Sequence, residues 1–471
     1  MIDVVVVGAG PNGLAAAITC ATAGRSVLVL EASDTIGGGT RTAALTLPGF
    51  VHDVCSGIHP MAAVSPFFLE AGLERHGLEL VHPEIALAHP IDGGRAGVLH
   101  QSVERTVAGL GVDGRAWDRH VGWAARRWDK LAPGTLGPLT RVPRHPIAMA
   151  GFGLRGVLPA TVAARAFSTE EAKGLFAGAA AHSFLPLQRP LTTAMGVMLL
   201  ASGHVAGWPA VRGGSQRIAE AMAARLAELG ATIETGRPVR TLADVPEARA
   251  VLFDVSPRQL LDICGDALPD RYRRRMGRFR YGPGVFKIDY ALSEPVPWTN
   301  EDCRRAGTVH LGGTLAEVAL AESEVAAGRP AERPFMLVAQ QSLFDPTRAP
   351  AGQHTLWTYA HVPHGSDVDL TDAMEGQLER FAPGFRDTVL ARHTAGPAWY
   401  ESYNANFIGG DIAGGSHGGL QLALRPRPGV RPYRTANPKL FLCSASTPPG
   451  GGVHGMCGHH AANAALSSVL R

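Results

Sequence analysis

Residues 1–42 limit what this chain can fold into more than any other stretch. Asp3–Val7 is an unbroken valine-rich run, the kind a parallel strand needs when both of its faces are buried. It runs into Gly8-Ala9-Gly10-Pro11-Asn12-Gly13, and an alanine-rich helix-forming stretch continues through Thr22. The three glycines therefore fall at a strand-to-helix turn. Gly8 permits the tight turn, Gly10 lets the backbone approach a pyrophosphate, Gly13 allows close helix packing, and the helix N-terminus favours phosphate charge. Val27–Leu30 reads as a second strand. Glu31, at its end, stands where a carboxylate hydrogen-bonds a ribose hydroxyl and disfavours a 2′-phosphate. Strand, glycines, helix, strand and acid in register predict a bound dinucleotide.

Two other segments match the same glycine spacing, Gly109–Gly114 and Gly151–Gly156. Neither follows a clean apolar strand: Glu104 and Arg105 interrupt the first approach, and Pro143, Pro146 and Pro159 flank the second. Both are expected to be loops or helix ends, which leaves one dinucleotide site.

With 471 residues, 45% apolar and 18% charged, the chain is long enough for two or three packed domains. A net charge of +3 is too small for this size to indicate nucleic acid, and Arg271-Tyr272-Arg273-Arg274-Arg275 reads as a solvated helix face. The first strand begins at residue 3 with no charged and apolar leader ahead of it, so a cytoplasmic location is expected. Leu191–Val211 is uncharged but rich in glycine and hydroxyl groups, which favours a buried helix over a membrane span. Six scattered cysteines form no CxxC pair, and His459-His460 lack a spaced carboxylate or cysteine cluster, so neither a redox disulfide nor a metal is expected.

Further along, a helix-rich tract runs from about 104 to 205. Arg212-Gly213-Gly214-Ser215-Gln216 then leads into Ile218–Leu229, whose apolar residues recur at helical spacing. Thr232–Glu234, Pro238-Val239-Arg240 and Ala250–Asp254 read as short strands returning to the nucleotide domain. Gly284–Leu292, Phe335–Gln341 and His354–His361 have strand periodicity, and the turn-rich link 345–350 suggests that the last two are antiparallel strands of a second sheet. Lys439–Ser444 and Ala461–Leu470 read as a strand and a helix rejoining the first domain.

Several further segments carry a resemblance: Gly37–Thr42 with Pro48-Gly49-Phe50; His52–Ser56; Ile58-His59-Pro60; Arg212–Ser215; Gly409–Gly415; and Cys443–Gly455. Together with Gly8–Gly13 and Glu31, they make the chain similar to the FAD-dependent phytoene-desaturase-like oxidoreductases, and within them to the bacterial relatives of pyridine nucleotide-disulfide oxidoreductase domain-containing protein 2. The resemblance covers nearly the whole length. It implies an α/β fold: a Rossmann-type FAD-binding domain with an inserted mixed α+β substrate domain of antiparallel sheet plus helices. Residues 1–90, 205–270 and 405–471 would form the discontinuous FAD-binding domain, and 91–204 and 271–404 the substrate domain. It further implies that Gly8, Gly10, Gly13 and Glu31 bind the ADP half of FAD, and that Gly38, Gly39 and Arg41 approach its diphosphate and ribityl region. Val239 would meet the adenine through its backbone. Gly451, Gly452 and Val453 would place amides, opening the last helix, beside the isoalloxazine, where reduced flavin carries negative charge.

The function expected is FAD-dependent oxidation, desaturation in particular, of a small hydrophobic substrate by hydride transfer to flavin N5. Phe152, Leu154, Val157, Leu158, Val162 and Phe167 supply an apolar set suited to such a substrate or to peripheral contact with a membrane. His59 and His454 are the candidate catalytic proton acceptors, each with structural hydrogen bonding as its plain alternative. Asp411 is read equally as a flavin-orienting group or a turn residue. Trp357, Tyr359 and His361 share one face of a strand and could wall a pocket. Two other functions stay open: an amine or amino-acid oxidase, which would show an aromatic cage at the flavin, and a flavin-bound interaction or regulatory protein, which would show a sealed flavin with no adjoining cavity.

Overall fold

The computed structural model describes residues 2–471. Five parallel strands form the first sheet, in the order Leu440–Leu442, Ala248–Phe253, Ile2–Val7, Val27–Leu30 and Thr232–Glu234. Val4, Val5 and Val6 are fully buried because both faces of this sheet are covered. On one face Pro11–Thr22 packs between Gln216–Glu228 and the C-terminal helix Met456–Leu466. That crossing is very close: a Cβ on Gly458 would lie 1.8 Å from the Asn12 carbonyl oxygen. The other face is covered by Pro257–Cys264 and Asp270–Met276, whose Leu260, Ile263, Tyr272 and Met276 join one apolar core with the strands. The arginines of Asp270–Met276 lie on its exposed side.

The second sheet has seven strands, in the order Val389–Ala395, Gly284–Leu292, His354–Val362, Met336–Ala339, Ala306–Leu311, Ile85–Ile91 and Arg95–Leu99. All neighbours are antiparallel except Ala306–Leu311 and Ile85–Ile91, which run parallel. Alternation along these strands builds two cores. Met336, Val338, Leu356 and Ala360 face Thr371–Phe381 on one side, while Leu337, Ala339, Trp357 and Tyr359 face the helical tract on the other. That tract is centred on Glu170–Ala181 and Thr192–Ala206, packed against each other. Thr192–Ala206 is the buried helix expected within 191–211, and the chain leaves it as the short strand Ala210–Val211.

Three local expectations differ from the structure. The hairpin Ile85–Ile91/Arg95–Leu99 belongs to the seven-stranded sheet, so a boundary drawn at 90 falls inside a strand. Pro238-Val239-Arg240 is a loop, since proline has no amide to donate to a ladder. Gly151–Gly156 lies wholly within the helix Pro146–Gly156. Its glycines serve packing there: Cβ atoms on Gly151 and Gly156 would press on the Trp123 ring at 3.1 Å and on Ala194 at 3.0 Å. Gly109–Gly114 does fall at a helix end, a short 3-10 turn and the start of the next helix.

Candidate active site

The strand Ile2–Val7 delivers Gly8 in a left-handed conformation, φ +102°, and Gly10 precedes the first residue of the helix. A Cβ on Gly13 would lie 2.0 Å from the Gly8 carbonyl oxygen, so glycine is required for the helix to start this close to the strand. Glu31 closes the turn from the next strand, its carboxylate accepting the amides of Ala9 at 2.7 Å and Ser33 at 2.9 Å. Arg41 reaches the same carboxylate at 3.5 Å and donates to the Thr35 carbonyl at 2.8 Å, with its guanidinium 5.3 Å from the centre of the Tyr403 ring. Gly38, φ +52°, and Gly39 form the 3-10 turn that brings this segment beside Gly10.

Asp254 gave no signal in the sequence beyond ending a strand, yet it lies at the centre of this turn. Its carboxylate accepts the Gly13 amide at 2.8 Å, and a Cβ on Gly10 would come 2.8 Å from its Oδ2. Burial, aided by the nearby charge of Glu31 and opposed by the Gly13 amide, pushes its pKa up to about 7. Near neutral pH it is therefore only partly ionised, which lessens the negative charge it adds to a site shaped for a diphosphate.

These groups line one end of a cavity of about 720 Å³. The residues singled out as cofactor ligands line it as well: Gly8, Gly10, Glu31, Gly38, Gly39, Arg41, Val239, Gly451, Gly452 and Val453, while Gly13 stands just behind, its amide on Asp254. Val239 does so from a loop. Gly451, Gly452 and Val453 precede the last helix, which begins only at Met456 after Gly455 in a left-handed conformation. Gly451 must be small: a Cβ there would lie 2.6 Å from the Ala413 carbonyl. Asp411 organises the loop that meets it, accepting the amides of Gly282, Ala413 and Gly415.

At its other end the cavity is apolar, walled by Phe152, Met195, Met198, Trp208, Leu337 and Tyr359. Four separated chain segments supply those six side chains. Trp357 also lines it, anchored by its indole N–H on the Cys55 carbonyl at 3.0 Å, and packs edge-on to Tyr359. His361, on the same strand face, instead pairs with buried Glu322 at 2.8 Å. Behind Trp357 lies a buried Lys287–Asp289 ion pair. Its aspartate is raised to about 6 by burial, against the pull of the lysine.

His59 and His454 both line the cavity, and each has a ring nitrogen committed to the protein. The Nδ1 of His454 accepts the Met456 amide at 3.0 Å, so the neutral ring carries its proton on Nε2, which is sealed without a partner. The Nε2 of His59 bonds the Ser215 hydroxyl at 2.7 Å, and its Nδ1 is sealed without a partner. Ser215 is itself fixed by a buried ionic clamp that sequence spacing did not reveal. Its amide donates to Asp53 at 2.7 Å, and Arg348 bridges Asp53 and Asp345, both at 2.9 Å. Burial lowers both histidines to about 4, which keeps them neutral near pH 7.

A third histidine was not singled out from sequence. His182, just after Glu170–Ala181, lines the cavity and holds its Nε2 3.1 Å from His310 Nε2. Burial lowers it to about 3. His459 and His460 bond Thr19 and the Leu136 carbonyl, as plain structural groups do. The six cysteines are buried and unpaired.

Residues 6–68 match the NAD(P)-binding Rossmann-like domain family. Over 98% of the chain and 92% of the relative, the sequence is 26% identical to pyridine nucleotide-disulfide oxidoreductase domain-containing protein 2 of Mus musculus. Among solved structures, an oxidoreductase from Methanosarcina mazei superposes with a TM-score of 0.64 over 99% of this chain and 100% of its own, at 17% identity. Putrescine oxidase bound to putrescine gives 0.60 at 19% identity, covering 100% of this chain and 99% of its own. The chain has their fold. In this chain the glycine turn and the apolar chamber open into one cavity.

Proposed function

We propose that the chain is an FAD-dependent oxidoreductase of the phytoene-desaturase-like type, which desaturates a neutral hydrophobic small molecule. One observation carries this reading: a single cavity joins the dinucleotide turn to a chamber without carboxylates. Among the described residues, the only acidic ones lining it, Glu31 and Asp254, both sit at the nucleotide end. An amine substrate binds as a cation and needs a negative or strongly accepting partner when buried. The chamber offers apolar carbon, sulfur, neutral imidazole and the hydroxyls of Ser183, Thr308 and Tyr359 but no charged acceptor, and Trp357 and Tyr359 meet at 89° rather than as facing walls of a cage.

The residues fit FAD. Gly8, Gly10 and Gly13 leave room where any side chain would collide, Glu31 and Arg41 present polar groups to the ribose and diphosphate, and the loop Gly451–Val453 borders the region between the two ends. When bound, the flavin supplies the two-electron acceptor that desaturation requires. The chain contributes the rest. Its apolar chamber would exclude water and hold the substrate, and His182, a lining residue whose Nε2 lies 3.1 Å from His310 Nε2, would take the proton that leaves the neighbouring carbon. His454, tied to the Met456 amide, and His59, tied to Ser215, would shape the wall.

The test is cofactor release followed by a substrate screen. Purified protein should hold one FAD per chain, and neutral polyenes or terpenoids should bleach it anaerobically while putrescine and cyclohexylamine do not. Bleaching by amines alone would replace desaturation with amine oxidation, and a chain that never holds FAD would remove both.

A further inference from the structure

Arg425 is a fully buried guanidinium held by backbone carbonyls. Its Nη2 donates to Gly415 at 2.8 Å and Ser416 at 3.4 Å, its Nη1 donates to Ala445 at 3.2 Å, and its Nε has no partner. Carbonyls satisfy its N–H groups without bringing an opposite charge, and a buried cation left in that state is costly. The groups around it offset little of that charge. Burial holds His417 and Cys457 neutral, at about 4 and about 12. Asp411 is the acid whose charge reaches Arg425, and no acid follows it in the chain. Burial raises Asp411 against the pull of its three amides and of Arg425.

The carbonyls that Arg425 holds belong to two loops of the cavity wall. Ala413 and Gly414 line the cavity from the first loop, and Ser444, Ala445 and Gly451 line it from the second. A Cβ on Gly450 would lie 2.6 Å from Nη1, so the guanidinium stands directly behind the second loop. That loop borders the stretch between the glycine turn and the apolar chamber, along which FAD anchored at Gly8–Gly13 would lay its ring. Reduction brings electrons and negative charge to the flavin, and a fixed cation in a water-poor interior stabilises the reduced form more than the oxidised one.

We propose that Arg425 sets the redox poise of the flavin: it clamps the two loops beside the ring, and its charge raises the midpoint potential. This rests on the reading of the cavity as an FAD site and is independent of which substrate is oxidised.

Potentiometric titration of the holoprotein with dithionite and mediator dyes, without substrate, tests it. Arg425→Gln should lower the ratio of reduced to oxidised flavin at a given potential by at least about tenfold, or ~30 mV for a two-electron couple. Arg425→Lys keeps the charge and loses the fork, so its ratio should stay within about threefold of wild type even where its melting temperature falls. Asp411→Asn removes the opposing charge and should shift the ratio the other way; it gives the readout by itself if Arg425→Gln retains no FAD. The proposal is overturned if Arg425→Gln keeps the wild-type potential, or if the Gln and Lys variants shift it alike, since Arg425 then acts only by shaping the loops. It is equally overturned if Asp411→Asn leaves the potential unchanged or lowers it. A wild-type chain that holds no FAD overturns this proposal together with the proposed function, whereas bound FAD whose potential ignores both charges overturns this one alone.

Discussion

The two ends of the cavity are built by different means. The nucleotide end is mostly backbone: a glycine turn, a helix N-terminus and amides gathered by Glu31 and Asp254, most of it contributed by residues 8–41. The chamber end is side chain, with Phe152, Met195, Trp208, Leu337 and Tyr359 brought together from helices and strands far apart in sequence. A site built from backbone depends on the absence of side chains, and a site built from side chains depends on which ones arrive. Cofactor retention should therefore answer to single glycines, while substrate choice should answer to several segments at once.

The sharpest way to break this contrast is Gly10→Val. A Cβ at this position lies 2.8 Å from Asp254 Oδ2 and fills the space a pyrophosphate takes, so FAD retention should be lost completely. Stoichiometric FAD in a folded Gly10→Val protein would place the dinucleotide elsewhere.

At the chamber end, His182→Gln should slow anaerobic flavin reduction by about 10²–10⁴-fold without altering FAD content. His59→Gln and His454→Gln should stay within about threefold, because neither ring offers an open lone pair to the cavity. The reverse pattern, with His59→Gln or His454→Gln slow and His182→Gln normal, would move the proton acceptor to the wall.

A smaller effect is expected from Glu31→Gln. Loss of charge-assisted hydrogen bonds of about 1.5–3 kcal/mol should weaken FAD binding by about 10- to 100-fold, read by titrating the apoprotein. Unchanged affinity would confine Glu31 to its bonds with Ala9, Ser33 and Arg41.

The smallest effect concerns pH, and the two ends should respond with opposite sign. Asp254 has its folded pKa raised from 3.8 to about 7, so the stability it contributes is present below about pH 4 and is lost as pH rises towards 7. His59, His182 and His454 have folded values lowered from 6.5 to about 4 or 3, so their contribution is present above pH 6.5 and is lost as pH falls. Asp254→Asn keeps an acceptor for the Gly13 amide and removes the first dependence. Its melting temperature relative to wild-type apoprotein should rise by a few degrees between pH 4 and 7; a constant difference across that range would mean that Asp254 titrates normally.

Much of the nucleotide end was legible in the sequence because its parts are local. Gly8–Gly13, Glu31 and the flanking strands lie within one βαβ unit, and each residue type follows from backbone conformation or close approach. The parallel return of Ala248–Phe253 and Leu440–Leu442 to the same sheet was also readable, from apolar runs next to helical periodicity. Strand character failed at Val239, where Pro238 breaks the ladder, and the domain boundary drawn at 90 cuts a hairpin, Ile85–Ile91 with Arg95–Leu99, that joins the other sheet.

What the sequence determined by itself was the dinucleotide turn and the alternation that points Trp357 and Tyr359 to one side of their strand. Tertiary structure alone decided the neighbours: Asp254 across the glycines, Arg348 between Asp53 and Asp345, His182 against His310 at the cavity wall, and a chamber whose described lining holds no carboxylate. The reason is physical. Backbone geometry is set over a few residues by steric rules that each side chain obeys locally, whereas burial, charge pairing and the tautomer of a ring depend on groups that only the folded chain brings within hydrogen-bonding distance.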